Sequence, residues 1–164
     1  MPKFTIAVLV KNEFGVLNRV TSMFRRRQFN IASLTVSETE TDAFSRITVT
    51  YEGEPRVNHL IKNQLKKLPD VCKVKELDGD ESVSCELMLI KVKNSSETRE
   101  DIRTAADAFK AETIDYTHDS VIMRIVGDSK RIDAFITLMQ EFTILEICRT
   151  GIVSLQRGSV TIAE

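Results

Sequence analysis

Residues 4–20 read Phe4-Thr5-Ile6-Ala7-Val8-Leu9-Val10-Lys11-Asn12-Glu13-Phe14-Gly15-Val16-Leu17-Asn18-Arg19-Val20, and this stretch decides the fold. Phe4 to Val10 is apolar and β-rich without a break, as suits a strand buried on both faces. Asn12 to Gly15 interrupts it with a turn. From Val16 the period changes: Val16, Leu17, Val20, Met23 and Phe24 recur at helical spacing, with Arg19 and Arg25 to Arg27 mostly elsewhere. A buried strand that passes through a glycine turn into an amphipathic helix opens a β-α unit.

The residues that follow complete it. Ile31 to Glu40 and Phe44 to Tyr51 read as two strands joined by the hairpin turn Thr41-Asp42-Ala43. Pro55 suits the start of a second helix, whose apolar face is Val57, Leu60, Ile61, Leu65 and Leu68 and whose end is Pro69. Val71 to Leu77 closes the unit, and Asp78-Gly79-Asp80-Glu81-Ser82 reads as a linker. The same order then returns. Glu86 to Lys93 is a strand, and Asn94-Ser95-Ser96 offers caps to a helix with Ile102, Ala105, Ala106 and Phe109 inward. Strands follow near Thr113–Tyr116 and Ser120–Val126. A helix over Lys130–Glu141 buries Ile132, Phe135, Ile136 and Met139, and extended chain runs over Ile144–Leu155, broken at Gly151. The expected fold is α+β: two ferredoxin-like βαββαβ units, residues 1–78 and 79–164, each an antiparallel sheet with its helices on one face.

Composition fits this. The chain has 164 residues, 42% hydrophobic and 29% charged, as in ordinary globular proteins. No apolar run is long enough to span a bilayer, and the N-terminus lacks a signal-peptide pattern, so a cytoplasmic protein is expected. Cys72, Cys85 and Cys148 are odd in number and widely spaced, which argues against a disulfide framework or zinc site and reads as reduced core or strand residues. The net charge of −1 hides an asymmetry, +4 in residues 1–78 and −5 in residues 79–164, suggesting two units with different partners.

No catalytic constellation can be assembled. His59 and His118 lie in different units, and neither a nucleophile elbow nor a Gly-rich phosphate loop is present. Glu38 and Glu40 read as solvated surface rather than an acid–base pair. The βαββαβ order occurs in RNA-binding modules, but the third strand, Phe44-Ser45-Arg46-Ile47-Thr48-Val49-Thr50-Tyr51, lacks their glycines and central aromatic. Arg25-Arg26-Arg27 reads as cations at the negative end of a helix, or as a surface for a protein partner.

The chemistry therefore gathers at the first turn. Gly15 permits a close approach or a φ closed to other residues, and the helix after it points unpaired N–H groups at whatever lies beyond, a place that suits a carboxylate. Asn12 offers an acceptor for an ammonium group and a donor for a carboxylate. Asn30 opens the second strand, and Val16, Leu17 and Ile31 are candidates to wall an apolar side chain. The plainer alternative is that Asn12 caps the helix and Asn30 makes a turn.

Asn12-Glu13-x-Gly15-Val16-Leu17-x-Arg19-Val20, Phe24-x-Arg26-Arg27-x-Phe29-Asn30-Ile31-x-Ser33-Leu34-Thr35-Val36 and Ser45-Arg46-Ile47-Thr48 together resemble the ACT domain that opens the regulatory small subunit of acetolactate synthase. Gln64-Leu65-x-Lys67-Leu68-x-x-Val71, Met88-Leu89-Ile90-Lys91-Val92, Asp133-Ala134-Phe135 and Ile147-x-Arg149-Thr150-Gly151 extend the resemblance over nearly the whole chain. It implies a non-catalytic subunit, homodimeric or larger through its ACT domains, that activates a separate catalytic large subunit and confers feedback inhibition by valine or a related amino acid. It implies that Asn12, Gly15 and Asn30 contact the effector between two subunits, with Val16, Leu17 and Ile31 nearby. Thiamine diphosphate, magnesium and flavin belong to the catalytic subunit, so no cofactor is expected on this chain, nor a nucleic-acid or membrane partner. Lys11 and Phe14 depart from the family pattern: Phe14 stands where a small residue or proline is usual, and its ring is expected to narrow the pocket, shift its preference or weaken binding. A constitutive activator that ignores amino acids is the alternative.

Overall fold

The computed structural model describes residues 2–77 and 79–164. In the first unit the order is β1 (Lys3–Lys11), α1 (Val16–Arg26), β2 (Ile31–Glu38), β3 (Phe44–Glu52), α2 (Pro55–Leu65) and β4 (Val71–Glu76). The four strands form one antiparallel sheet in the order β2-β3-β1-β4. Strand alternation puts Ile6, Val8 and Val10 of β1 and Ile47, Val49 and Tyr51 of β3 on the face that the helices cover. Val16, Val20, Met23 and Phe24 of α1 and Ile61 and Leu65 of α2 complete that core.

The second unit repeats the plan with β5 (Ser82–Lys93), α3 (Arg99–Ala108), β6 (Glu112–Tyr116), β7 (Ser120–Gly127), α4 (Ser129–Met139) and β8 (Ile144–Arg149), in the sheet order β6-β7-β5-β8. Its core is Met88, Ile90 and Val92 of β5, Val121, Met123 and Ile125 of β7, and Ile102, Ala105, Ala106, Ile132, Phe135 and Met139 of the helices. The ferredoxin-like expectation holds in both units.

Several details differ from the sequence reading. Leu17 and Leu60, placed on apolar helix faces, are 41% and 38% exposed. At α2 the inward place is taken by Asn58, which is buried: its Oδ1 accepts from the Tyr51 hydroxyl at 2.6 Å and its Nδ2 donates to Glu76 at 2.6 Å. Polar pairing replaces apolar contact there, a substitution hydropathy cannot register. Helix α3 begins at Arg99, and of Asn94-Ser95-Ser96 it is Ser95 that serves its start: its hydroxyl accepts from the Thr98 N–H at 3.3 Å and its carbonyl from the Arg99 N–H at 3.1 Å. Of the core-or-strand reading of the cysteines, Cys72 on β4 and Cys148 on β8 take the strand place, and both are exposed.

The chain divides into compact units differently from the expected 1–78 and 79–164: one runs to Ser84 and includes Ile152–Glu164, the other is Cys85–Gly151. Asp78 of the expected linker lies outside the described residues. Gly151, at φ +80°, breaks the extended C-terminal run as expected. After it β9 (Val153–Gln156) pairs with β5, and Ser84 and Ser154 are joined through their hydroxyls at 2.8 Å. The last residues are held by side chains of the first unit: Arg46 donates to the Ser154 carbonyl at 2.7 Å, Lys75 to that of Thr161 at 3.2 Å and Lys73 to that of Glu164 at 3.1 Å.

Candidate functional site

The turn 12–15 is fastened from three directions. The Asn12 backbone N–H donates to the Ala43 carbonyl at 2.9 Å, and its Nδ2 donates to the Asp42 carbonyl at 3.0 Å and to Glu38 Oε1 at 3.3 Å. Its Oδ1 accepts from the Ser45 hydroxyl at 3.0 Å. Asn12 thus pins the end of β1 to the β2–β3 hairpin, and it caps nothing: Gly15 holds the N-cap position of α1, and no side chain caps that helix. Gly15 has φ +83°, and a Cβ there would meet nothing within 4 Å, so the glycine answers a backbone requirement rather than a crowded neighbour. Arg19, one turn into α1, anchors the helix by pairing with Asp70 at 2.6 Å.

Val16 is buried in the core, whereas Leu17 lies open. Phe14 is fully solvent-exposed within one chain. Asn30 is exposed and Ile31 half-buried. The structure does not bring Asn30 to Asn12. Strands β1 and β2 are parallel, separated by β3: Lys11 lies opposite Phe44 and Glu38 opposite Ser45, whereas Ile31 and Phe4 both lie opposite Tyr51. Asn12 and Asn30 therefore sit at opposite ends of the sheet, on the order of 25 Å apart at the usual strand rise. A helix crossover between parallel strands carries the chain back to where it began, so the end of one strand and the start of the next cannot meet.

Glu38, Asp42 and Ser45 are the residues of this site that sequence reasoning did not assign. A signal for them exists in the second unit. Asn94, like Asn12, stands two residues past the last core residue of its first strand. Its N–H donates to the Asp119 carbonyl at 2.8 Å and its Nδ2 to the Thr117 carbonyl at 2.7 Å, repeating the hold on the hairpin. The repeat, expected only in element order, survives in this residue. One difference is telling: Ser45 lies opposite Val10, but the residue opposite Val92 is Val121, and the buried Asn94 Oδ1 has no hydrogen-bond partner among the described residues.

Residues 6–73 match the model of the AHAS small subunit-like ACT domain, and residues 85–158 match that of the small subunit of acetolactate synthase. The acetolactate synthase small subunit of Bacillus subtilis is 42% identical over 159 residues, which cover 96% of this chain and 92% of that one. The chain belongs to the acetolactate synthase small-subunit family. The Haemophilus influenzae small subunit is 39% identical over 158 residues, covering 96% of this chain and 97% of its own. The crystal structure of the small subunit from Thermotoga maritima superposes with a TM-score of 0.87 at 35% identity, covering 98% of this chain and all of that one. Within this small subunit the two matched regions correspond to the two βαββαβ units, and the turn at Asn12 falls in the ACT domain.

Among the described residues, no helix is long and apolar enough to cross a membrane. His59 pairs with Asn63 and His118 with Asp119, both at the surface. Glu40 lines no acid–base pair with Glu38, whose carboxylate is committed to Asn12.

Proposed function

We propose that this chain is the regulatory subunit of acetolactate synthase: it joins and activates a separate catalytic subunit and makes it sensitive to valine or a related branched-chain amino acid. The effector site comprises Asn12, Gly15, Val16 and Leu17 of one copy with Asn30 and Ile31 of a second.

The observation that carries this reading is the bare edge of β2. The opposite edge of the sheet, β4, is guarded by Lys73, Lys75 and Glu76, as exposed edges usually are. Strand β2 reads Ile31-Ala32-Ser33-Leu34-Thr35-Val36-Ser37-Glu38, with no charge or proline before its last residue. Such an edge invites a strand, and a second β2 laid antiparallel brings the Asn30 of one copy beside the Glu38 that holds Asn12 of the other. Residues split across one sheet are then reunited across two. An effector binding between them acts by favouring one arrangement of the pair, since it shifts nothing otherwise.

Calorimetric titration with valine, leucine and isoleucine tests the site; no heat and no thermal stabilisation at millimolar levels of all three would overturn it. The exposed Phe14 ring favours a second reading, a constitutive activator in which that ring docks on the catalytic subunit. Reconstitution separates the two: adding this chain to the catalytic subunit and then valine gives activation followed by inhibition in the first, and activation alone in the second.

A further inference from the structure

The second unit contains a cavity of about 320 Å³ between α3 and β6, far from the Asn12 turn in sequence and made of different residues. Its floor is Ile102, Ala106, Val121 and Met123, all buried. Its rim carries two guanidiniums, Arg99 and Arg103, one helical turn apart on α3 and hence on the same side. Thr113 and Tyr116 join them from β6, where they lie opposite Met123 and Val121 and so face the helix layer. The register of β6 shifts between Thr113 and Asp115, loosening the edge strand where the cavity opens.

Arg99 is the informative residue. Its guanidinium stands over the Tyr116 ring, 5.9 Å from the centroid, an arrangement that orients the planar group. Yet its Nε is buried and has no hydrogen-bond acceptor among the described residues. A buried guanidinium N–H without a partner is costly, and native structures seldom keep one unless something else supplies the acceptor. Glu100 and Asp107 also line the rim, but neither forms an ion pair with either arginine among the described residues. An oriented arginine, a second one beside it and an apolar floor make one demand: an anionic planar group attached to a short apolar body.

We propose that this cavity binds a small carboxylate with a short alkyl chain, its carboxylate on Arg99 and Arg103 and its chain on Ile102, Ala106, Val121 and Met123. The site is separate from the ACT turn and does not depend on the effector reading above. Glu100 and Asp107 are placed to receive an ammonium group, so the carboxylate belongs to an amino acid or to an uncharged-tail acid, two sources that one experiment distinguishes.

The test uses the full chain with ¹³C-labelled Ile, Val and Met methyl groups, titrated separately with isobutyrate, valine and isobutylamine. Isobutyrate should shift the methyls of Ile102, Val121 and Met123 saturably, and isobutylamine should not. Tighter binding of valine than of isobutyrate at these methyls assigns the ammonium to Glu100 and Asp107; weaker binding assigns a plain carboxylate site. Valine at the ACT turn reports through Val16 and Val20 instead, so failure of either site is visible without the other. Arg99→Gln should weaken isobutyrate binding by about tenfold or more, the range for a lost charge-assisted hydrogen bond. Arg103→Gln provides the second variant, with the methyl spectrum reporting that each remains folded. Silence of all three methyls at millimolar isobutyrate, equal shifts with isobutylamine, or unchanged affinity in both variants would overturn the proposal.

Discussion

Asn12 and Asn94 make the same pair of bonds to their hairpins, but one is exposed and the other buried, and this sets what each contributes. Asn94→Ala removes a part-buried bond to the Thr117 carbonyl and leaves space where a buried side chain stood, and should cost about 1 kcal/mol or more. Asn12→Ala, at the surface, should cost less than about 1 kcal/mol. Urea denaturation of the two variants measures the difference. A mild Asn12 effect on stability matters for function, because effector affinity lost in that variant then reflects lost contacts rather than unfolding. Gly15→Ala places a Cβ in open space but forces it to φ +83°, so a penalty of about 1–2 kcal/mol from the left-handed backbone is expected. Asn12 and Gly15 were legible in sequence because a turn between strand and helix leaves local marks. Glu38 was not: it looks like any surface acid until the hairpin folds its carboxylate onto Asn12.

Between elements, polar networks do what hydropathy cannot announce. Glu86 on β5 is buried and accepts from Arg149 of β8 at 2.6 and 2.8 Å, while Arg149 also reaches Asp133 of α4 at 2.9 Å. The hydrogen bonds from Glu86, with those from Asp133 and the charges of both acids, hold the Arg149 guanidinium above its usual pKa despite partial burial. Arg149→Ala strands a buried carboxylate and should cost about 3–5 kcal/mol in thermal or urea unfolding. Glu86→Gln, which keeps the shape without the charge, should cost less. In the first unit, burial foremost and the neighbouring Glu76 second push the Tyr51 phenol above its ordinary range. The raised group's contribution is fully present below about pH 10, where a free tyrosine ionises, and is lost as the pH climbs beyond it, because the unfolded chain then releases a proton that the native one retains. Urea midpoints measured through that range should fall more steeply for the native sequence than for Tyr51→Phe. Residue spacing foretold these strands and helices, but not Asn58 in the place expected of Leu60: only an assembled core has the Tyr51 hydroxyl that makes an inward amide favourable.

At the scale of the molecule, the first unit is built from two separate lengths of chain. A chain ending at Gly151 would lose β9 and the carbonyls that Arg46, Lys73 and Lys75 hold. Hydrogen exchange should then quicken in β3 and β4 while Met88, Ile90 and Met123 keep their protection; equal loosening of both cores would show that the tail does not serve the first unit in particular. By itself the sequence determined which elements form, their order, the α+β class and the family, because alternating and helical spacing record which side of each element seeks apolar company. It also marked Asn12 and Gly15. Only the tertiary structure decided that Asn30 lies at the far end of the sheet from Asn12, that Leu17 faces water, and that residues 152–164 return to the first unit. Those facts depend on which strand lies beside which, and on what the completed core leaves uncovered. Contacts between residues distant in the chain set both, and no local period encodes them.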